Sequence, residues 1–208
     1  MMARIGFALV SLVFILSGCA TQNVGSDFTL KTDGDKGLVI GSITRSVASS
    51  GTQGLGAYSR YAMLQYRNLA TGEGGKVSSG NSALGILVPS DFPGIYGDFF
   101  ALELPAGNYE FYRWYLEWST VQISSKKDFS APFTVGAGKV VYIGDLNFDV
   151  LFAKGKLGNS VFSDLDINVK DSSQRDFAFA AKKIPNLRLD QVERKLLDSP
   201  LMGDSIKN

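Results

Sequence analysis

Acidic side chains are the residues of this chain best suited to catalysis, because the sequence contains no histidine. This composition excludes Ser-His-Asp and Cys-His catalysis and every histidine metal site. Asp145 and Asp149, with Asn147 between them, share one face of a predicted strand, and paired carboxylates can cleave glycosidic bonds. Neighbours two apart on a strand face are about 7 Å apart, so these two carboxylates would stand about twice that far apart. We therefore interpret them as a solvated sheet face.

Aspartates could also supply oxygen ligands to calcium at two places in the chain. Asp33 and Asp35 form one pair, and Asp164 and Asp166 form the other. Neither pair has the twelve-residue loop pattern of a calcium site, and the glycines of segment 51–56 match neither a dinucleotide fingerprint nor a phosphate-binding loop. We therefore expect no metal site and no cofactor.

Aromatic side chains crowd both faces of the predicted strand Tyr109 to Trp118. Strict alternation places on one face Tyr109, Phe111 and Tyr115, and on the other Tyr112, Trp114, Leu116 and Trp118. One face must fill the core, and the other is either covered as well or open as a binding surface, since exposed contiguous aromatics mark interaction sites. The candidate binding surface consists of Tyr112, Arg113, Trp114 and Trp118.

The N-terminus has the three parts of an export signal. A short region with Arg4 is followed by the apolar run Ile5 to Leu16 and by small residues before Cys19, the only cysteine. The apolar run is too short to span a bilayer, which takes about 20 apolar residues. The four residues Leu16-Ser17-Gly18-Cys19 resemble the lipobox of bacterial lipoproteins.

The lipobox resemblance implies that residues 1–18 are a signal peptide and that Cys19 carries lipid, including palmitate, as a membrane anchor. Several acyl chains on one residue anchor a protein stably where a single chain does not. Ala20 follows the cysteine. In enteric bacteria an Asp at this position resembles an inner-membrane retention signal, and because this chain lacks it we expect an outer-membrane lipoprotein facing the periplasm. Residues 19–35 are expected to form a flexible tether.

Charge and cysteine content limit the possible partners and the means of stabilisation. The chain has 21 Lys+Arg and 20 Asp+Glu, and removal of Arg4 with the signal leaves 20 against 20. This balance gives no electrostatic reason to expect nucleic acid as a partner. Without a second cysteine the domain has no internal disulfide, and its core must come from apolar and aromatic burial.

Short β-rich runs separated by glycine-rich turns extend over residues 36–170 and predict an antiparallel β-sandwich. Two hairpins are predicted, one turning at Pro105-Ala106-Gly107 and one at Gly136-Ala137-Gly138. The remaining predicted strands are Leu38 to Thr44, Tyr61 to Arg67, Lys76 to Ser79, Leu84 to Val88 and Val161 to Val169.

Segment 104–111 is similar to the Leu-Pro-x-Gly-x-Tyr-x-Phe hairpin common in transthyretin-like or prealbumin-like β-sandwich modules. Segment 137–144 resembles the following hairpin of related small envelope lipoproteins. The resemblance implies a transthyretin-like fold with an accessory, adhesive or carbohydrate-facing role, and it supplies no catalytic residues.

Residues 171–208 change from a period of two to a period of 3.6, which predicts two short helices. Ser173 and Asp176 resemble a capping box. A first apolar stripe ends at Pro185 and contains Phe177, Ala180, Ala181 and Ile184; a second contains Leu189, Val192 and Leu196. The two helices either pack on the sandwich or dock a partner or the membrane.

Together these features favour a membrane-anchored periplasmic lipoprotein that is a non-enzymatic binding or accessory module of the cell envelope. Its partners would be the membrane, through Cys19, and an envelope protein or glycan. One alternative is a carboxylate-dependent hydrolase of cell-wall glycan. Another is a structural envelope component that oligomerises through its sheet edges.

Overall fold

The structure, a computed structural model, describes residues 23–49, 59–80, 90–118, 121–156 and 160–198. The predicted signal peptide, Cys19, segment 51–56 and the predicted strand Leu84 to Val88 lie outside the described residues.

The described residues form two five-stranded sheets, which confirms the prediction of a mainly β domain. The first sheet contains β1 (Lys36–Ser49), β4 (Tyr96–Pro105), β8 (Val140–Lys154), β9 (Ser160–Lys170) and β10 (Val192–Arg194). The second contains β2 (Ser59–Asn68), β3 (Gly74–Gly80), β5 (Gly107–Trp118), β6 (Val121–Ser124) and β7 (Ala131–Val135).

Each sheet has a long strand whose outer edge is shared by two shorter strands. In the first sheet β1 lies between β4 and β8, and β9 and β10 pair with successive parts of the far edge of β8. In the second, β2 lies between β3 and β5, and β6 and β7 pair with β5. Most pairs are antiparallel, but β1 and β10 both run parallel to β8. The first sheet is therefore mixed, and not antiparallel throughout as expected.

The inner faces of the two sheets share one apolar core. Its largest fully buried members include Phe100 and Phe148 from the first sheet and Phe111 and Trp114 from the second. Because each strand contributes alternate residues to this face, the apolar positions of both sheets meet between them.

A second apolar cluster covers the outer face of the first sheet. Leu38, Ile40 and Tyr142 of this sheet pack against Ala180 of helix α1 (Ser173–Lys183) and against Ile184. The N-terminal segment contributes Val24, Phe28 and Leu30 to the same cluster. The structure differs here from the expectation of a tether through residue 35, because the segment from residue 23 onward is packed on the domain.

The two predicted hairpin turns connect strands of different sheets. Pro105-Ala106-Gly107 leads from β4 in the first sheet to β5 in the second, and Gly136-Ala137-Gly138 leads from β7 in the second to β8 in the first. Both turns bond to the start of β1: the Ala106 amide donates to the Asp35 carbonyl and the Gly138 amide to the Lys36 carbonyl, each at 2.8 Å. Both predicted chain reversals are therefore present, but each connects two strands of different sheets and not two neighbouring strands of one sheet.

Two β-bulges change which residues of a long strand face the core. In β8, Ile40 and Ser42 of β1 lie opposite Tyr142 and Asp145, so the β8 strand carries one extra residue at Gly144. In β5, Gln65 and Tyr66 of β2 lie opposite Arg113 and Phe111, which leaves Tyr112 as the extra residue. Beyond each bulge the alternation is shifted by one residue.

The C-terminal part of the described chain has one α-helix, and not two. α1 confirms the first apolar stripe, but the second stripe lies in a 3₁₀ turn, Leu189–Gln191, followed by strand β10. Ser172 is the N-cap residue of α1, and its side chain makes no capping hydrogen bond, so the predicted capping box of Ser173 and Asp176 is absent. No helix within the described ranges is long and apolar enough to cross a membrane.

Candidate functional site

The β5 bulge divides the predicted binding surface between core and solvent. Before the bulge the core receives Tyr109 and Phe111, and after it the core receives Trp114 and Leu116. Trp114 is only 1% exposed, so its assignment to an open surface is wrong. The buried Trp114 Nε1 has no hydrogen-bond partner within the part of the chain that the structure describes. The backbone of Trp118 ends β5, but its side chain lies outside the description.

Tyr112 and Arg113 lie on the outer face of the second sheet. The guanidinium of Arg67, from the neighbouring strand β2, lies 4.4 Å from the centroid of the Tyr112 ring. Arg67 Nη2 also lies 2.6 Å from Glu110 Oε1, and Arg113 Nε donates to Asp128 Oδ1 at 2.7 Å. We call Arg67, Glu110, Tyr112, Arg113 and Asp128 the arginine-tyrosine patch.

The arginine-tyrosine patch combines a ring face with charge-balanced hydrogen-bonding groups. Two guanidinium groups meet two carboxylates, and Arg67 bridges them because its Nη1 lies 3.5 Å from Asp128 Oδ2. The bond to Glu110 raises the pKa of Arg67 further above its usual range, so this cation does not titrate near neutral pH. On the same face, the rings of Tyr61 and Tyr115 lie 6.0 Å apart.

The sequence does not predict Arg67, Glu110 or Asp128 as members of this surface. Arg67 alternates with Met63 and Gln65 on the less buried face of β2, which is a signal for an outward position. Its proximity to Tyr112 depends on the pairing of β2 with β5 and on the bulge, and neither can be read from local alternation.

The outer face of the first sheet contains a buried polar cluster and is not solvated as expected. Asp145 and Asn147 are almost fully buried, while Asp149 is partly buried. Thr44 Oγ1 donates to Asp145 Oδ1 at 2.7 Å, and Asn147 Nδ2 donates to Thr44 Oγ1 at 2.9 Å. The shift at Gly144 places Asp145 on this face.

Arg175 of α1 joins Asp145 to a second buried carboxylate, Asp176. Arg175 Nη2 lies 3.1 Å from Asp145 Oδ2 and 2.7 Å from Asp176 Oδ1. Asp176 Oδ2 accepts hydrogen bonds from Ser42 Oγ at 2.8 Å and from the Tyr142 hydroxyl at 3.0 Å. Both carboxylates are therefore engaged by protein donors on more than one oxygen, as buried charges require.

Burial dominates the acid-base behaviour of this cluster. It raises the pKa of Asp176, and the attraction of Arg175 only partly opposes this effect. Burial, followed by the proximity of Asp176, also raises the pKa of the Tyr142 phenol. The cluster thus links α1 to the first sheet through the Asp176 carboxylate, whose charged form is disfavoured by burial.

The remaining acidic candidates are the pairs Asp33 with Asp35 and Asp164 with Asp166. No group of three or more His, Cys, Asp or Glu residues that could hold a metal is found within the described ranges. Asp164 Oδ1 accepts a bond from the Leu165 amide, and Asp166 Oδ2 accepts one from Asn168 Nδ2. The side chains of these two aspartates therefore accept hydrogen bonds from neighbouring residues of β9.

Two grooves lie away from the predicted site residues. One, of about 570 Å³, lies between the sheets and is lined by Phe133, Ile143 and Leu196. The other, of about 430 Å³, is lined by Leu30, by Lys139 in the turn between β7 and β8, and by Arg188.

Comparisons with known proteins add little to this geometry. No protein-family model matches the chain, and no curated protein matches it. Among solved structures the chain is similar to a leucine-rich repeat protein from Bacteroides thetaiotaomicron, with 16% identity and a TM-score of 0.32. The match covers 57% of this chain and 14% of that one, and at this TM-score the likeness carries no argument about fold or function.

Proposed function

We propose that this protein is a lipid-anchored, non-enzymatic binding module of the bacterial cell envelope, attached through Cys19 to the periplasmic face of the outer membrane. The lipobox-like segment 16–19 supports the anchor. The observation that carries the binding role is the arginine-tyrosine patch on the outer face of the second sheet, since α1 lies against strands of the first sheet. Segment 104–111 supports the finer proposal of a divergent transthyretin-like sandwich.

An envelope glycan is the favoured ligand for the arginine-tyrosine patch. The patch contains the carboxylates of Glu110 and Asp128, and Glu and Asp are depleted at the centres of protein-protein interfaces. Its one aromatic ring, Tyr112, lies beside fixed donors and acceptors, a combination found where a small number of polar groups orient a ligand. An envelope protein is the alternative partner.

Hydrolysis of glycan is the weaker proposal because of the placement of the carboxylates. Asp145 and Asp176 are buried and bound by Arg175 and by hydroxyl donors. A glycosidase needs two carboxyl groups that flank its substrate, and one of them must exchange protons with it. These two acids contact protein groups on the covered face of the first sheet, which supports a structural role.

Fractionation of cells tests the anchor. The wild-type protein should be found with the membranes, and Cys19→Ser should release it, because the variant has no residue that can receive the acyl chains. Membrane attachment of Cys19→Ser equal to that of the wild type would contradict the anchor.

Glycan binding is tested by co-sedimentation of the purified Cys19→Ser protein with insoluble cell-wall glycan. Tyr112→Ala and Arg113→Ala should each reduce the sedimented fraction, because each removes part of the arginine-tyrosine patch. Lys182→Ala is the matched control, since Lys182 is exposed on α1 at the opposite side of the molecule. Equal sedimentation of all three variants, or none of the parent protein, would contradict a glycan-binding patch.

A further inference from the structure

The N-terminal segment is fixed to the edge of the first sheet close to the predicted anchor. Asn23 forms a parallel bridge to Ala101 of the edge strand β4. The Ala101 amide donates to Asn23 Oδ1 at 2.9 Å, and the Val24 amide donates to the Ala101 carbonyl at 3.0 Å. Val24, Phe28 and Leu30 then pack on the outer apolar cluster, so the described N-terminal segment belongs to the domain.

Chain length limits how far Cys19 can lie from this edge. Only four residue steps separate Cys19 from Asn23, and a fully extended chain covers at most about 14 Å over that distance. A lipid on Cys19 must enter the bilayer at the membrane surface. Asn23 therefore lies within about 14 Å of such an anchor.

The direction of the bridge indicates which end of β4 faces the membrane. Because the bridge at Ala101 is parallel, Asn23 and Val24 run in the same direction as β4, so the N-terminal end of this pair faces Tyr96, the first residue of β4. Ala101 and Tyr96 are five residues apart, which is about 17 Å along a strand. The reach of the four-residue connection is similar to this distance.

Two apolar side chains are exposed at that end of β4. Ile95 is 38% exposed and Tyr96 is 43% exposed. The turn that carries them is anchored by Phe92, which is buried in the outer apolar cluster. The guanidinium carbon of Arg175 lies 4.0 Å from the centroid of the Phe92 ring. Asp91 Oδ2 also accepts the Phe99 amide at 3.0 Å and lies 3.4 Å from Lys183 Nζ. The turn thus presents Ile95 and Tyr96 from a fixed scaffold.

We propose that Ile95 and Tyr96 enter the headgroup region of the bilayer to which Cys19 anchors the protein, and so fix the orientation of the domain on the membrane. This proposal rests on the lipid anchor of the proposed function. Tyr is enriched at membrane interfaces because its ring is apolar and its hydroxyl is polar. The acyl chains supply the affinity, and the short connection keeps the turn at high effective concentration near the surface. The arginine-tyrosine patch, on the other sheet, stays free for its ligand.

Site-specific fluorescence on the lipidated protein tests this orientation. Lipidation of Cys19 leaves no other thiol in the chain, so a single introduced cysteine can carry an environment-sensitive dye. The protein carrying Ile95→Cys is labelled and reconstituted in phosphatidylethanolamine-phosphatidylglycerol vesicles that contain a nitroxide lipid. The matched control is Leu69→Cys, because Leu69 is 53% exposed in the turn between β2 and β3.

The dye at position 95 should show a blue shift and lose intensity to the nitroxide lipid, while the dye at position 69 keeps its solution spectrum. A flexible Gly-Ser insertion after Gln22 should abolish the quenching at position 95 without releasing the protein from vesicles. A vesicle-bound protein with an unquenched dye at position 95, as expected if this turn docks another protein, would overturn the orientation and leave the anchor intact. A protein whose Cys19 thiol is free and which stays off the membrane would overturn the anchor and the orientation together.

Discussion

Asp176 shows how one side chain joins a helix to a sheet at an electrostatic cost. Its carboxylate is inaccessible to solvent, yet it accepts bonds from Ser42, Tyr142 and Arg175. Removal of one partner of such a buried group leaves the others unsatisfied, whereas a neutral group of the same shape keeps most of the hydrogen bonds. Asp176→Asn is therefore the informative substitution.

Asp176→Asn is expected to change the pH dependence of stability. Burial raises the pKa of Asp176 above its ordinary value of 3.8, so the folded state binds this proton more tightly than the unfolded state. The contribution of Asp176 to stability should therefore fall as pH rises from 3.8 through its folded pKa, and then stay constant. Urea unfolding of both proteins across this range should show the difference in stability, wild type minus variant, decreasing with pH. Asp171, Asp190 and Glu193, whose pKa values are lowered, cancel in that difference. A difference independent of pH would contradict the role of burial.

Trp114 and Tyr112 should respond differently to truncation, although both were predicted to lie on one binding surface. Trp114→Ala should lower the free energy of unfolding by about 3 to 5 kcal/mol, because it empties a fully buried position. Tyr112→Ala should lower it by less than about 1 kcal/mol, because this ring is partly exposed. Urea denaturation measures both values, and similar losses for the two variants would contradict the placement of the bulge.

At the scale of strands, the sequence predicted where most described strands lie but not how their faces are assigned. Alternation located β1, β2, β5 and β8 because each has apolar residues at every second position over part of its length. Alternation does not predict the faces correctly on both sides of Gly144 and Tyr112. One extra residue in the strand exchanges the inward and outward positions beyond it, and the local sequence does not show where that residue is inserted. Trp114 was misplaced for this reason. Asp145 lies on the predicted face of β8, but that face is buried because α1 packs against it.

Connections between elements were hidden for a related physical reason. Pro105-Ala106-Gly107 specifies a reversal, but a reversal within a sheet and one between sheets need the same turn residues. The stripe Leu189, Val192 and Leu196 fits a helix by spacing, yet residues 192–194 find open hydrogen-bonding groups at the edge of β8. Tertiary pairing overrides weak helical spacing in such a short segment.

Gly144 at the β8 bulge should be more sensitive to substitution than Gly72, although both have a positive φ. Its φ is 107°, and a Cβ there would approach Val169 Cγ1 to 2.5 Å. Gly144→Ala should therefore cost about 2 kcal/mol or more, the sum of backbone strain and a steric clash. Gly72, with a φ of 74° and no atom within 4 Å of a Cβ, is the matched control. Gly72→Ala should cost only about 1 kcal/mol. Equal losses in urea unfolding would mean that the close approach to Val169 is relieved by small movements of β9.

For the whole molecule, the two outer sheet faces have different surroundings. The first sheet is covered by α1 and by both terminal segments of the described chain, and the second presents the arginine-tyrosine patch. A chain anchored beside β4 would place its covered sheet and the turn with Tyr96 near the lipid. In this orientation the proposed anchor lies on the side of the first sheet, and the proposed binding patch on the second sheet stays accessible.

The N-terminal segment should behave as part of the fold and not as a spacer. A variant beginning at Lys36 loses Val24, Phe28 and Leu30 from the outer apolar cluster. Burial of such side chains is worth about 1.5 to 3 kcal/mol each when complete, and these are partly buried, so we expect a loss of about 2 to 5 kcal/mol. A variant beginning at Asn23 keeps all three contacts and should match the Cys19→Ser protein in urea unfolding. Binding of a hydrophobic dye by the Lys36 variant alone would show that the outer cluster is uncovered. If both truncated proteins unfold at the same urea concentration, the segment contributes no stability, and the short distance between the anchor and the domain loses its basis.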